Sequence, residues 1–587
     1  MTRSRFLVSM RVAAAGLCLW STLALGQAAE APPVLPETAT PTDRTPVGPT
    51  GSASVEDPPR VPATAGPATA GPATAGHGDA EDGIVDPDAS PPSRHRRRLP
   101  EEAPPAAGGI AARAGTARTG WHTKAWLYQR VVADSASLVE ATGPQPSEAL
   151  RLTSPLEVEA RSRAGAEASW RSASGFVRSF KGEVELEIRS WDRPEPALRD
   201  GPALWRRASV EAMTLAGQFT LGRTQSTWGL GLLAHDGVED PMQFGARRGS
   251  TTVTRLGYAL LPAALWHGGD PTNAFPLALA VAYDWVARDD LAYYSGDKAN
   301  NALAALLYRG TELQAGIYGV QRKQTDVHGL EMQARVVDGF FRWRRQASSR
   351  NYIEFSGEGV MLLGETGWLA TPSQPDRKTI EQFGGVARVE VGNRRGSSFR
   401  LESGSASADS RPGNGTLRNF RMANDYRVGL VMFPVAQRLL SGQTVANLSD
   451  LRYSATAPAG VERVETHGAV TQATYVHPVL RVEPTRNHAI LLGALWASSP
   501  SDAADPFRSW LAGGQAVGPR GAAGKRDLGL ELDAAVESKT RLADWAELIL
   551  RFDGGVWFPG DVFDDASGQP MAAVGAWQGA VQLRIDL

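Results

Sequence analysis

Residues able to do chemistry are sparse and dispersed in this sequence. Its 587 residues include 9 histidines and one cysteine, and they contain no phosphate-cradling glycine loop, no HExxH helix and no GxSxG nucleophile turn. Two His/Asp couples invite a base-and-orienter reading, His235 with Asp236 and His267 with Asp270. Adjacent side chains on an extended backbone point to opposite faces, so such a couple needs a bend before it can act. Asp561, Asp564 and Asp565 offer oxygen to a hard cation. Calcium takes about 6–8 oxygens, which three local acids do not supply. The expectation is no catalytic residue, no metal, no cofactor, and a protein that is not an enzyme.

The chemistry that does recur is charge alternating with apolar residues at period 2. Over 183–190, Val184, Leu186 and Ile188 fall on one face, while Glu183, Glu185, Glu187 and Arg189 fall on the other. Ile353 and Phe355 oppose Glu354, Phe399 and Leu401 oppose Arg400 and Glu402, and Leu548, Leu550 and Phe552 oppose Arg551 and Asp553. A dry sandwich core would not tolerate such a face, whereas a water-filled lumen would. The candidate pore-lining residues are Arg161, Arg163, Glu185, Arg189, Glu354, Arg388, Glu390, Arg400, Glu402 and Arg551. Rings of fixed charge beside water set field and selectivity. Acids and bases interleave here, so no strong anion preference is expected.

Such faces need strands to present them. Alternating segments begin near residues 120, 156, 183, 204, 217, 251, 275, 301, 312, 329, 351, 380, 397, 465, 488, 526, 545 and 572. Each is about 9–13 residues, enough for a tilted strand to cross a bilayer. Short connectors follow even-numbered segments (215–217, 309–310, 393–396, 484–487) and most long ones follow odd-numbered segments, with 164–182 as the exception. Short turns at one end and long loops at the other predict a transmembrane antiparallel β-barrel of about 18 strands, 16 being the alternative, with both termini periplasmic. Trp121, Trp191, Trp205, Trp266, Trp285, Trp496, Trp545 and Trp557 lie near strand ends, where interfacial aromatic girdles form. Composition agrees: 42% hydrophobic, 21% charged and a mean hydropathy of -0.25 exclude a polytopic helical membrane protein and a wholly disordered chain. With 61 basic against 63 acidic residues, nucleic acid is not the expected partner.

The barrel is expected over 119–587, behind two other segments. Residues 1–26 carry Arg3, Arg5 and Arg11, then an apolar stretch from Val12 to Leu25, which reads as a signal peptide cut after Gly26. Residues 27–118 are rich in Pro, Ala, Gly and Thr, with the repeat ATAGPATAGPATAG at 63–76, and are expected to be a disordered linker. Cys18 lies in the leader, so the mature chain is expected to have no disulfide and no thiol chemistry.

Within the longest connector, 407–464, the stretch 424–441 is apolar but interrupted by Pro434, Gln437 and Arg438. It is too short and broken to span as a helix. Two readings stand: a plug folded into the pore, with Asp425, Tyr426, Arg427 and Arg438 facing the permeant as a candidate constriction, or an extra strand pair at the rim.

Two stretches, LGRTQSTWGLGLLAHDG at 221–237 and FRMANDYRVGLVMFPV at 420–435, resemble motifs of an uncharacterised myxobacterial family of outer-membrane β-barrels that is similar to alginate-export porins. The last strand, AWQGAVQLRIDL, resembles the C-terminal signal that hands such proteins to the barrel assembly machinery. The resemblance implies an outer-membrane barrel of about 18 strands; the lumen-facing charge points to a porin or export channel for polar or charged solutes, extending to an anionic polysaccharide or oligosaccharide. The alternative is a non-conducting surface-binding or structural barrel. Expected partners are outer-membrane lipid and lipopolysaccharide, the assembly machinery, and a polar solute or polysaccharide permeant.

Overall fold

Alternating residues become the two faces of a sheet because successive side chains on a strand point to opposite sides. The computed structural model describes residues 120–587 apart from 142–149, 173–174, 192–202, 247–248, 263–275, 370–376 and 453–457. The expected leader and linker lie outside the described residues. The strands are β1 (Gly120–Ala141), β2 (Leu150–Arg171), β3 (Val177–Trp191), β4 (Ala203–Thr214), β5 (Gly217–Gln225), β6 (Thr252–Leu260), β7 (Leu277–Arg288), β8 (Lys298–Arg309) and β9 (Leu313–Thr325). They continue as β10 (Glu331–Gln346), β11 (Asn351–Thr366), β12 (Lys378–Asn393), β13 (Ser398–Ala406), β14 (Thr474–Thr485), β15 (His488–Ser498), β16 (Asp527–Ala543), β17 (Ala546–Pro559) and β18 (Val574–Asp586).

Each strand pairs antiparallel with its neighbours in sequence, and β18 returns to β1 in a register running from Trp126↔Asp586 to Ala136↔Ala576. This closes an 18-stranded barrel and leaves no unpaired edge, as a sheet in lipid requires. A two-residue strand, Thr416–Leu417, adds a parallel pairing to β12. Both ends of the described chain, Gly120 and Leu587, lie at the short-turn end, where Ala125 and Leu587 exchange backbone hydrogen bonds of 3.0 and 2.8 Å.

Three expected boundaries are corrected. The connector placed at 164–182 is strand on both sides of a short turn, since β2 continues to Arg171 and β3 begins at Val177. Ala164, Ala166 and Ala168 are too small to register as an apolar face, yet they pair across to Leu186, Val184 and Gly182. The same shift moves the start of β2 from 156 to Leu150. β14 begins at Thr474, not 465, because Glu465 to Ala473 belong to a segment folded inside the barrel.

Burial follows the alternation. Glu183, Glu185, Glu187 and Arg189 are buried on the inner face while Val184 is exposed on the outer one. Trp121, Trp205, Trp285, Trp496 and Trp545 are exposed near strand ends, as a girdle requires. Trp557 is a correction: it points inward, fully buried, donates to the Leu528 carbonyl at 3.0 Å and meets Phe563 edge-on at 4.7 Å. The side chain of Trp191 and all of Trp266 lie outside the described residues. On the outer face Phe552 stacks on Trp577 at 6.1 Å. Phe552→Arg is expected to cost about 2–4 kcal/mol, because a lipid-facing charge pays desolvation. The check is the temperature at which the compact unboiled gel band is lost; no change would place Phe552 outside the apolar belt.

The apolar core lies inside the cylinder. It is built from the loop 226–251 and the long connector 407–473, whose Leu232, Phe244, Phe420, Tyr426, Met432 and Phe433 pack with Tyr475 and Trp557 of the wall. Each large side chain buried this way contributes about 1.5–3 kcal/mol. Within 424–441 the chain is a π-helical turn, Met432–Gln437, running into the helix Arg438–Ser449, so an extra strand pair does not form there.

Candidate functional site

Two loops enter the lumen from the long-loop end and are tied to the wall by discrete polar contacts. Trp228 of the first donates to Asp338 on β10 at 3.1 Å and packs on Tyr318 and Phe340 at 4.4 and 5.1 Å. Asp240 of the same loop takes Arg400 of β13 at 2.7 Å. In the second loop the Tyr426 hydroxyl receives Arg388 at 2.6 Å and donates to Glu402 at 3.2 Å. The loops also bind one another: the Gly249 N–H donates to Asp425 at 2.5 Å, and the Gln243 amide donates to the Arg427 carbonyl at 3.0 Å.

The ten expected lining residues all sit on the inward phase, in three groups. Arg161, Arg163, Glu185 and Arg189 form one on β2 and β3, where Arg161 pairs with Glu159 at 2.7 Å and Glu185 with Arg206 at 2.8 Å. Its centre is Glu187, fully buried, which takes Arg163 at 2.5 Å, Arg206 at 2.8 Å, and Arg189. Glu354, Arg388, Glu390, Arg400 and Glu402 form the second on β11 to β13, where Arg342 reaches Glu354 at 3.2 Å and Arg400 reaches Glu390 at 2.8 Å. Arg551 on β17 pairs with Asp553 at 2.9 Å and donates to the Gln243 carbonyl. Arg388, Arg400, Glu402 and Arg551 therefore hold inserted loops.

Beside the inserted loops lies a cavity of about 200 Å³, bounded by β1, β18 and the loop after β7. Arg288, Arg427 and Arg438 share its wall with Asp290, Asp425 and Glu465. Three of the four expected constriction residues, Asp425, Arg427 and Arg438, thus come together. Tyr426 does not join them, since its side chain turns into the Glu402 network. Tyr293 and His467 complete the wall, 3.1 Å apart between hydroxyl oxygen and Nε2. His467 is held at φ 50°, in the left-handed region that a non-glycine residue occupies only under constraint.

Two groups here have displaced titrations of opposite sign. Burial, aided by the neighbouring Asp425 charge, pushes Asp290 up to about 6. Burial among Arg421, Arg438, Arg288 and Arg463 pushes His467 down to about 3. The Asp290 contribution to loop docking is full below its unfolded value of about 4 and is lost as pH rises through about 6. The His467 contribution is full above its unfolded value of about 6.5 and is lost as pH falls toward 3. The two slopes oppose between about pH 4 and 6, so wild-type docking should vary little there. Asp290→Asn should loosen on acidification and His467→Gln should tighten, read as hydrogen-exchange protection of 424–438 corrected for intrinsic rates. Parallel slopes in both variants would refute this.

Sequence reasoning missed the insertion of 226–251, and with it Asp240, Asp338 and Glu358. The stretch GVEDPMQFGARRGS reads as a polar external loop, and only Met242 and Phe244 within it signal a buried destination. The couple His235 and Asp236 is structural: His235 Nδ1 accepts the Gly237 N–H at 2.7 Å and lies 3.8 Å from Asp236. His267 and Asp270 lie outside the described residues.

No protein-family model and no curated protein matches the sequence. Among solved structures the chain is similar to the outer-membrane protein OprD of Pseudomonas aeruginosa, with 10% identity, TM-score 0.43 and coverage of 79% of this chain and 94% of that one. It is similar to OccK9 (OpdG) of the same organism at 9% identity and TM-score 0.45, covering 79% and 98% of the two chains. OccK11 (OpdR) gives 10% identity, TM-score 0.43 and coverages of 79% and 96%. At these values no residue role is carried across.

Proposed function

We propose that the protein is a bacterial outer-membrane channel that passes small polar or charged solutes through the gap between its inserted loops and the barrel wall. The observation that carries this reading is a closed barrel, apolar outside and charged within, whose lumen holds two inserted loops and, beside them, a cavity of about 200 Å³ lined by both signs of charge. Fixed charges beside a narrow aqueous path set which solutes enter. The candidate lining and constriction residues act there by field and by size. In this reading the short-turn end with both termini faces the periplasm, the outer face contacts lipid and lipopolysaccharide, and the β18 end is read by the barrel assembly machinery.

A cavity this small lies below the roughly 300–1,000 Å³ of pockets for drug-sized ligands, which favours a small solute. Export of an anionic polysaccharide, suggested by the resemblance to alginate-export porins, requires the loops to leave the lumen. Reconstitution in planar bilayers tests the proposal. Discrete current steps are expected; a barrel that folds but never conducts would instead be a surface-binding or structural protein.

A further inference from the structure

Two short sequences 200 residues apart, Gly229-Leu230-Gly231-Leu232 and Gly429-Leu430-Val431-Met432, make the same contact with the wall. Each opens on a glycine in the left-handed region, φ 55° at Gly229 and 71° at Gly429. In each, the three N–H groups that follow converge on one carboxylate. Glu358 of β11 accepts from Leu230, from Gly231 at 3.1 Å and from Leu232 at 3.2 Å. Glu531 of β16 accepts from Leu430 at 2.5 Å, and from Val431 and Met432 at 2.7 Å each.

Successive N–H groups arranged this way form a concave anion-binding nest, and hydrogen bonds to an ionised carboxylate are the strong ones. The glycines are required twice over. A side chain would be strained at these φ values, and its Cβ would stand 2.4 Å from Glu358 Oε2 or 2.7 Å from Glu531 Oε1. One nest lies in each of the two inserted loops, and both partners belong to the wall.

Each nest also lies directly after a glycine, which rotates more freely than a residue with a side chain. The wall strands have their own ladders: β11 is paired along its length with β10 and β12, and β16 with β15 and β17. Losing a nest contact therefore frees a loop and leaves the cylinder intact. We infer that Glu358 and Glu531 are a pair of latches that position the constriction, and that the wide conducting state is reached when the nests leave these carboxylates. The inference rests on the channel reading and adds to it the residues that hold the channel narrow.

The test uses the full barrel in lipid, with Glu358→Gln and Glu531→Gln as near-isosteric variants, since an amide offers one acceptor oxygen and sets an N–H₂ against N–H groups. Gly429→Val breaks a nest while keeping Glu531 itself, and Asp544→Asn, in the exposed β16–β17 turn, is the control. In a Cys18→Ser background, Leu230→Cys or Leu430→Cys reports loop release through labelling by a membrane-impermeant maleimide. Labelling and the fraction of time in a larger conductance level are expected to rise about tenfold or more in the latch variants and not in the control. Heat-modifiable gel mobility should stay that of the folded barrel. Wild-type labelling and conductance in Glu531→Gln and Gly429→Val barrels that fold would overturn the latch and leave the channel reading standing. Faster labelling with no current from any variant would support the latch and remove the channel.

Discussion

Replacing residues 424–441 with a short glycine–serine linker is expected to raise single-channel conductance several-fold. The segment carries Tyr426, Val428, Leu430, Val431, Met432 and Phe433, all at or below 3% exposure, and all inside the cylinder. Removing it exchanges packed side chains for water over much of the lumen cross-section, and current through a wide aqueous path scales with that area. The strands are held by continuous antiparallel ladders that do not pass through the segment, so the barrel should still assemble. Conductance equal to wild type in a folded barrel would show that ions already pass by another route, and the segment would then be a filler without influence on flow.

The second large effect is expected at Glu187. This carboxylate, fully buried on β3, takes three guanidinium groups, from Arg163, Arg189 and Arg206. Arg206 in turn donates to the Asp236 carbonyl at 3.1 Å, so the cluster also ties the 226–251 loop to the wall. Glu187→Gln keeps the shape and removes the charge that holds the three cations together. Breaking a buried ionic cluster by one partner costs about 3–5 kcal/mol, because the remaining charges stay buried without compensation. Two readouts follow: a lower temperature for loss of the compact gel band, and a reversal potential shifted toward anions, since the lumen gains one net positive charge. A selectivity unchanged from wild type would mean that permeant ions do not sense this wall.

Much of the wall was legible from residue pattern alone. Glu183 to Arg189, Phe399 to Glu402 and Leu548 to Asp553 declare both faces of their strands because side-chain direction on a strand has period 2 and is local. The weak spots have local causes too. The alanines at 164–168 hide a strand because they are too small to mark an apolar face. Trp557 reads as a girdle residue by its place near a strand end, yet its phase carries it inward to the Leu528 carbonyl.

The inserted loops were only half legible. The apolar run at 424–441 signals a buried destination, and its broken pattern excludes a spanning helix. Nothing local shows that the loop at 226–251 enters beside it, because its docking is decided by partners far away in sequence: Asp240 by Arg400, Trp228 by Asp338, and Gly249 by Asp425. The same holds for the latches. Glu358 and Glu531 take their role from three backbone N–H groups each, which reach them across about a hundred residues of chain or more.

The sequence by itself determined a closed barrel of about 18 strands with charged inner faces, because strand phase, strand length and connector length are properties of neighbouring residues. The tertiary structure alone decided that two loops enter the lumen, which inward charges hold them, and where a cavity lies beside them. Those depend on which distant groups meet inside the cylinder, and a buried charge or N–H finds its partner by position in space, which no local pattern encodes.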